Sequence, residues 1–369
     1  MSGSQSQIPS PSSPALPPPP NVVPNFSEPY SLNPYQTLEI AACVSITTVM
    51  LAARVYTKVA LLKHFTWEDY SALLAWASFI VFVGLLDSTG RHGAGVHQWN
   101  LHYQDAQYAW KFGNIADMVY SIALLATKLS IMLLILRVFC SVQRDIPYFL
   151  TIGLIAVNSA FYLCFLIIPT ALCKPRRKIW TPELPGKCLD VNKLYLASAV
   201  FNFLSDIAML SVPIYLVWRL QMSIRRKIGV TAIFCTGGLA CISSILRLIY
   251  VVFLTHSKDY THAHFAATMW STAEIAFGLI CSNVVVFPRL YRHFCDITPS
   301  APTAGLQRAL KAGTEDALEH EMKDGRTKRE WLQLEERAAE DVKVFANRAR
   351  LEDEEAFDVA VDEDRIKRP

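Results

Sequence analysis

The sequence predicts an all-α fold in which seven transmembrane helices form a bundle, with the amino terminus outside and the carboxyl tail in the cytosol. Of the 369 residues, 52% are hydrophobic and 18% are charged. Soluble domains carry about 25% charged residues, so this composition indicates a multi-pass protein of the plasma membrane or an endomembrane, with lipid around it. The net charge of +3 is small and the basic residues form no stripe, which argues against a nucleic-acid partner.

Seven apolar runs are long enough to cross a bilayer. A helix needs roughly 20 mostly apolar residues, because each residue rises about 1.5 Å through about 30 Å of hydrocarbon. The predicted spans are residues 38–55, 70–86, 114–136, 149–172, 195–218, 228–254 and 266–287.

The orientation follows from basic residues in short loops, which favour the cytosolic side. With the amino terminus outside, cytosolic edges carry Arg54, Lys58 and Lys63, then Arg137 and Arg144, then Arg219, Arg225, Arg226 and Lys227, then Arg289 and Arg292. The loop between the fourth and fifth spans is also basic and opposes this assignment. We keep the amino terminus outside, because the other cytosolic loops agree and because a loop closed by a disulfide belongs in an oxidising compartment.

Two polar segments flank the membrane domain, which covers residues 37–294. Residues 1–36 contain no Lys or Arg and are rich in Ser and Pro, so we expect a disordered extracellular amino terminus. Its sequon at Asn25 is a candidate glycosylation site. Residues 295–369 form a charged cytosolic tail. An amphipathic helix within this tail is predicted from the helical spacing of Trp331, Leu334, Ala338, Val342 and Phe345. This helix either is solvated or docks a cytosolic partner.

Five charged residues lie inside the predicted spans. A charge at the centre of a bilayer costs at least about 2.5 kcal/mol, so such residues face the bundle interior and pair. Depth counted from the helix ends predicts an outer layer of charges and a deeper pair. Asn202 lies one helical turn from Asp206, and Ser243 lies one turn from Arg247. The outer layer is Asp117, Arg247 and Glu274, and the deeper pair is Lys128 and Asp206. Two interpretations stay open: inter-helix pairing that fixes helix register, or a polar pocket that binds a small molecule or moves a proton.

The loop between the fourth and fifth spans contains Cys173 and Cys188. A disulfide between them would close a loop of about 16 residues and contribute roughly 3 kcal/mol. The loop would then form a stiff lid over that end of the bundle. Its basic cluster of Arg176, Arg177 and Lys178 is interpreted as a solvated surface, with attraction of an anionic ligand as the alternative.

Histidines cluster in two outer loops. His92, His97 and His102 follow the second span, and His256, His262 and His264 surround the start of the seventh. The three histidines of the first loop could be metal ligands or acid–base groups, but the neighbouring glycines indicate a turn equally well. Asp105 is the one carboxylate in this loop that could complete a metal triad. The sequence therefore predicts no metal site, and the second group indicates pH sensitivity instead.

The spans also bear on cofactors. Residues 266–287 contain no lysine, whereas a retinal Schiff base requires one on the last helix, and Lys128 lies on the third. We therefore expect no retinal and no other cofactor. Arg137 follows Leu136 and not an acidic residue, which argues against a G-protein-coupled receptor of the animal type.

Several motifs together resemble the fungal rhodopsin-like integral membrane protein family, of the satratoxin-cluster type. The early motifs are Trp67-Glu68-Asp69-Tyr70, Gly93-x-Gly95-x-His97, Thr127-Lys128-Leu129-Ser130-Ile131 and Leu136-Arg137-Val138-Phe139. The later ones are Cys173-x-Pro175, Trp180, Gly186-x-Cys188, Asn202 with Asp206 and Pro213, Arg225-Arg226-Lys227, Arg247, and Trp270 with Glu274 and Gly278.

The resemblance implies a role in fungal secondary-metabolite (toxin) biosynthesis, in which the protein senses or accommodates a small apolar molecule without assigned chemistry. A first alternative is an intramembrane cyclase or isomerase that uses Asp117, Asp206 or Glu274 as acid or base. A second is a receptor-like sensor of external cues. Receptor-like members often carry a cysteine-rich module before the first helix, and no cysteine precedes Cys43, which favours the metabolite-associated branch.

Overall fold

A computed structural model describes residues 10–63, 65–139, 146–219, 224–257 and 259–284, with 286, 287 and 290. The predicted tail, 295–369, and its amphipathic helix lie outside the described residues.

Seven long helices form the described part of the chain, and each is long and apolar enough to cross a membrane. The predicted all-α seven-helix fold is thus confirmed. The helices are α1 (Asn33–Tyr56), α2 (Trp67–Arg91), α3 (Tyr103–Phe139), α4 (Ile146–Ile167), α5 (Val191–Arg219), α6 (Ile224–His256) and α7 (Tyr260–Val284). Each helix begins before the predicted apolar run, but α4 and α7 end at Ile167 and Val284, short of the predicted ends at residues 172 and 287. The start of α3, for example, contains polar and charged residues that hydropathy leaves out.

The core lies where α2, α3 and α7 meet. Phe79, Phe82 and Ile275 are among its fully or almost fully buried side chains. A Cβ atom at Gly278 would lie 2.6 Å from the Thr127 Cγ2 atom, so glycine permits this close approach of α7 to α3. In contrast α1 and α4 leave many large apolar side chains exposed. Those side chains form the surface that faces lipid.

The bundle has two distinct ends. The disulfide end carries the α2–α3, α4–α5 and α6–α7 connections, and the opposite end carries the α1–α2 connection. At the opposite end a π-helical segment, Thr57–Leu62, extends α1. A capping box between Thr66 and Asp69 begins α2.

The amino-terminal segment departs from the expected disorder. Residues 10–32 run along the α2–α3 loop, where the Tyr103 amide donates to the Ser13 carbonyl at 2.9 Å and the Ala15 amide donates to the Leu101 carbonyl at 3.0 Å. The Phe26 ring stacks on His102. Backbone pairing with a loop needs no apolar sequence pattern, so composition gave no sign of it. Asn25 is exposed at this end, beside Asn100.

The α4–α5 loop is closed by the predicted disulfide, which is confirmed. Cys173 and Cys188 face each other across two short antiparallel strands, β1 (Cys173–Lys174) and β2 (Lys187–Cys188). The loop also rests on the start of α3, where the Tyr103 hydroxyl donates to Glu183 and the Lys111 ammonium lies 5.9 Å from the Trp180 ring.

Removing the disulfide should destabilise the protein. Cys173→Ser opens a loop whose ends are 15 residues apart, which corresponds to a loss of about 3 kcal/mol of unfolding free energy. Thermal unfolding in detergent should show a lower melting temperature, and a reductant should lower the wild type to the same value. Cys164→Ser, at an exposed free cysteine of α4, is the matched control. Equal melting of Cys173→Ser and wild type would contradict the prediction.

Candidate functional site

The deepest charged pair joins α3 to α5. The Lys128 ammonium lies 2.7 Å from an Asp206 carboxylate oxygen, and both side chains are buried. Lys128 also donates to the Ser205 hydroxyl at 3.0 Å. The second Asp206 oxygen accepts from the Ser244 hydroxyl of α6. Each charge therefore has several partners, as burial in low dielectric requires.

A second pair joins α6 to α7. The Arg247 Nε atom lies 3.1 Å from a Glu274 carboxylate oxygen, and the guanidinium lies over the Tyr120 ring at 5.1 Å. The other Glu274 oxygen accepts from the Asn202 amide at 2.5 Å. The same amide nitrogen lies 3.3 Å from Asp206. Asn202 thus links the two ion pairs into one network.

Asp117 has different partners from those that its depth suggested. Its carboxylate accepts from the Tyr195 hydroxyl at 2.5 Å. Tyr195 in turn accepts from the Tyr260 hydroxyl at 3.0 Å, and the Tyr260 ring stacks on His264. Of the predicted outer layer, the structure pairs Arg247 with Glu274 and gives Asp117 a chain of tyrosines.

Several uncharged members of this network were missed. The Tyr162 hydroxyl donates to the Asn202 side-chain carbonyl at 2.5 Å, and the Ser205 hydroxyl donates to the Asn158 side-chain carbonyl at 2.6 Å. Ser243, the expected neighbour of Arg247, instead bonds to the Ala240 carbonyl of its own helix. Asn158 offered one usable signal, since it is an isolated amide in the apolar run of α4. Hydroxyl groups offered none.

A separate charged cluster at the opposite end was also missed. Asp69 accepts from Arg54 at 2.8 Å and lies 3.0 Å from the Lys58 ammonium. Glu68 contacts Lys58 at 2.8 Å and Arg137 at 2.7 Å. The sequence analysis used these basic residues only for orientation. The acidic pair in the Trp67–Tyr70 motif was the available signal.

The Arg54 guanidinium extends this cluster to α7, where it donates to the Ser282 carbonyl at 2.6 Å. Ion pairs therefore join the start of α2 to the ends of α1 and α3 at the opposite end, and a hydrogen bond from Arg54 adds the end of α7.

An apolar cavity lies at the disulfide end, above the polar network. Its volume is about 410 Å³, and most of its lining is apolar, including Phe82, Trp110 and Phe265. Cys173 and Cys188 border it, so the disulfide loop covers it. Volumes of this size accommodate small organic ligands.

Polar groups converge on one side of this cavity. Asp117, Tyr195 and Arg247 line it, while Asp206 and Glu274 are outside its lining. Among the described residues, four buried polar atoms of the lining have no hydrogen-bond partner: Gln36 Oε1, Arg247 Nε, Arg247 Nη2 and Thr261 Oγ1. Of these, Arg247 Nε has an ion-pair contact with Glu274. Gln36 belongs to α1 and not to a disordered segment. Unpaired buried polar atoms are uncommon and costly, so these atoms can serve to bind a ligand.

Known proteins match this chain over most of its helical part. The family model of the fungal rhodopsin domain matches residues 53–293, more than half of the chain. The chain belongs to the fungal rhodopsin domain family. The membership confirms the resemblance drawn from the sequence motifs.

Family relatives include proteins of metabolite clusters. A SAT4 family membrane protein of Emericella nidulans is 38% identical over 63% of this chain and 56% of its own length. Fugralins biosynthesis cluster protein 2 of Gibberella zeae is 30% identical over 76% of this chain and 71% of its own length. Satratoxin biosynthesis SC1 cluster protein 4 of Stachybotrys chartarum is 23% identical over 46% and 60%. No solved structure matches.

Breaking the Lys128–Asp206 pair should be strongly destabilising. Lys128→Met leaves a buried carboxylate without its cation, which costs about 3–5 kcal/mol. The double variant Lys128→Met/Asp206→Asn removes both charges and should recover part of that loss. Thermal unfolding in detergent of the wild type and the variants tests this coupling. A single variant that melts like the wild type would show that the pair contributes no stability.

Proposed function

We propose that this protein binds a small, mainly apolar molecule in the cavity at the disulfide end and acts in fungal secondary-metabolite biosynthesis. The observation that carries the proposal is the cavity itself, an apolar space that contains unpaired buried polar atoms. The apolar walls would supply affinity, and the few polar atoms would fix the ligand's orientation. The printed names of the fugralin and satratoxin relatives support the pathway context.

The unpaired atoms define the ligand's polar groups. The Arg247 Nη2 atom is a donor of a charged group, so it calls for a carbonyl or carboxylate oxygen on the ligand. Gln36 Oε1 is an acceptor and calls for a hydroxyl or amine. The ligand class is therefore a hydrophobic skeleton with one or two oxygen functions. We propose no retinal, because α7 carries no lysine.

The proposed orientation places the disulfide end outside and the carboxyl tail in the cytosol. The disulfide, the sequon at Asn25 and the basic residues near the opposite end support it. Protease digestion of sealed vesicles with a tag on each terminus tests this orientation.

Filling the cavity should abolish function. Gly113 lines the cavity, and a Cβ atom added there meets nothing within 4 Å, so Gly113→Phe should fold and occupy ligand space. In a deletion strain of the source fungus, metabolite profiles should be restored by the wild type and not by Gly113→Phe.

Gly153→Phe is the matched control, because this glycine is exposed on α4 and also has free space around it. It should restore the profile fully. Full restoration by Gly113→Phe at equal protein level would contradict ligand binding in this cavity.

The alternative function is intramembrane acid–base catalysis on a lipophilic intermediate. Asp117 favours it, because this carboxylate alone among the three candidates Asp117, Asp206 and Glu274 lines the cavity. Its hydrogen bond with Tyr195 gives it a group with which to exchange a proton. Asp206 and Glu274 are held by Lys128 and Arg247 and are better explained as structural.

Microsomes that contain this protein alone separate the two functions. If they convert an intermediate that accumulates in the deletion strain, and Asp117→Asn lowers the rate at least about 100-fold, the protein is an enzyme. If no conversion occurs while the accumulated compound binds, the binding function stands. Conversion that survives in Asp117→Asn would exclude Asp117 as the acid or base.

A further inference from the structure

Three residues with metal-binding side chains meet at the disulfide end. His97 of the α2–α3 loop lies beside Asp259 of the α6–α7 connection and His262 of the first turn of α7, and ligand atoms of all three lie within 4.8 Å of one another. The His97 Nδ1 atom is 2.5 Å from an Asp259 carboxylate oxygen. The His97 and His262 rings stack with centroids 4.3 Å apart. All three side chains are partly buried.

The surrounding backbone fixes this cluster in place. Gly93 and Gly95 both have positive φ, which turns the chain so that His97 faces α7. The Gln98 amide donates to the other Asp259 oxygen at 3.2 Å, and the Trp99 ring stacks on the His97 imidazole with centroids 4.4 Å apart. Asp259 is thus oriented by a backbone donor, as is usual for metal-binding carboxylates.

We propose that His97, Asp259 and His262 form a binding site for a divalent transition-metal ion of the Zn²⁺ type. Two imidazoles and one carboxylate are a ligand set that Zn²⁺ prefers, whereas Mg²⁺ and Ca²⁺ prefer oxygen ligands. A tetrahedral Zn²⁺ site places ligand atoms about 3.3 Å apart. The stacked rings must therefore turn slightly to bind the ion, which their partial exposure permits. Water would take the fourth position.

A simple ion pair is the competing explanation, and it accounts for less. It explains the contact of His97 with Asp259, but it gives no role to His262, a second imidazole stacked on the first. A shared ion gives all three side chains a role. This metal site does not depend on the proposed ligand, because its three side chains lie at the rim of the cavity and take no part in the network around Asn202.

The site would connect two loops that border the cavity. Gln98, next to His97, and Tyr260 and Thr261, between the two other ligands, line the cavity. A bound ion would therefore hold the α2–α3 loop against the start of α7 and restrict the opening of the cavity.

Metal titration of the full chain tests the proposal. The protein is purified in detergent with a tag that contains no histidine, treated with chelator, and titrated with Zn²⁺ by calorimetry. We expect saturable binding of one ion per chain and no comparable binding of Mg²⁺. His97→Ala and His262→Ala should each reduce Zn²⁺ affinity at least about tenfold, since even outer-shell changes cost that much.

The controls address folding and specificity. His262→Ala removes a ligand without breaking the His97–Asp259 contact, so loss of binding there does not depend on that contact. His256→Ala is the matched control, because His256 is exposed and bonds to the Val252 carbonyl of its own helix. It should bind Zn²⁺ like the wild type. All variants should elute as the wild type does in size-exclusion chromatography.

Three results would overturn the site. They are no saturable Zn²⁺ binding by the wild type, wild-type affinity in correctly eluting His97→Ala or His262→Ala, and an equal loss in His256→Ala.

Discussion

The amide of Asn202 is the contact on which the interior of the bundle depends. Charges in hydrocarbon must be paired, and Asn202 links the Lys128–Asp206 pair to the Arg247–Glu274 pair. Through these five residues α3, α5, α6 and α7 share one set of hydrogen bonds. Tyr162 adds α4 through its bond to the Asn202 carbonyl. Because lipid supplies no hydrophobic force between helices, such shared polar contacts fix helix register in a way that apolar packing alone does not.

The charged residues of the interior differ in how completely they are paired, and this difference separates structural residues from those that can contact a ligand. Lys128, Asp206 and Glu274 have their partners within the network and lie outside the cavity lining, so they have little capacity left for a ligand. Arg247 lies at the boundary: it contacts Glu274 while its Nη2 atom has no partner among the described residues. The Asp117 carboxylate accepts a hydrogen bond from the Tyr195 hydroxyl. The polar network therefore acts as the floor of the cavity, and the proposed ligand contacts lie where pairing is incomplete.

Hydropathy predicted the number of helices because a segment that crosses lipid must consist mainly of apolar residues. Counting depth along the helices put Arg247 level with Glu274 and Lys128 near Asp206, and the structure joins both pairs. Depth does not give direction around a helix. Ser243 was expected beside Arg247 but bonds to its own helix, whereas the adjacent Ser244 donates to Asp206. The cluster around Asp69 lies at the end of an apolar run, where charges are ordinary, so the acidic pair Glu68 and Asp69 was the one signal of pairing there.

The disulfide end was the least predictable part, because its contacts join loops that are distant in the chain. His97 meets Asp259 across 162 residues, and Ser12 meets His102 across 90. No periodicity encodes such contacts. Yet these contacts and the disulfide all surround one cavity. Helix packing and the polar network fix its floor, whereas cross-links between loops fix its rim. The proposed ligand, entering from this end, would therefore pass the rim contacts, which are separate from the buried ion pairs that fix helix register.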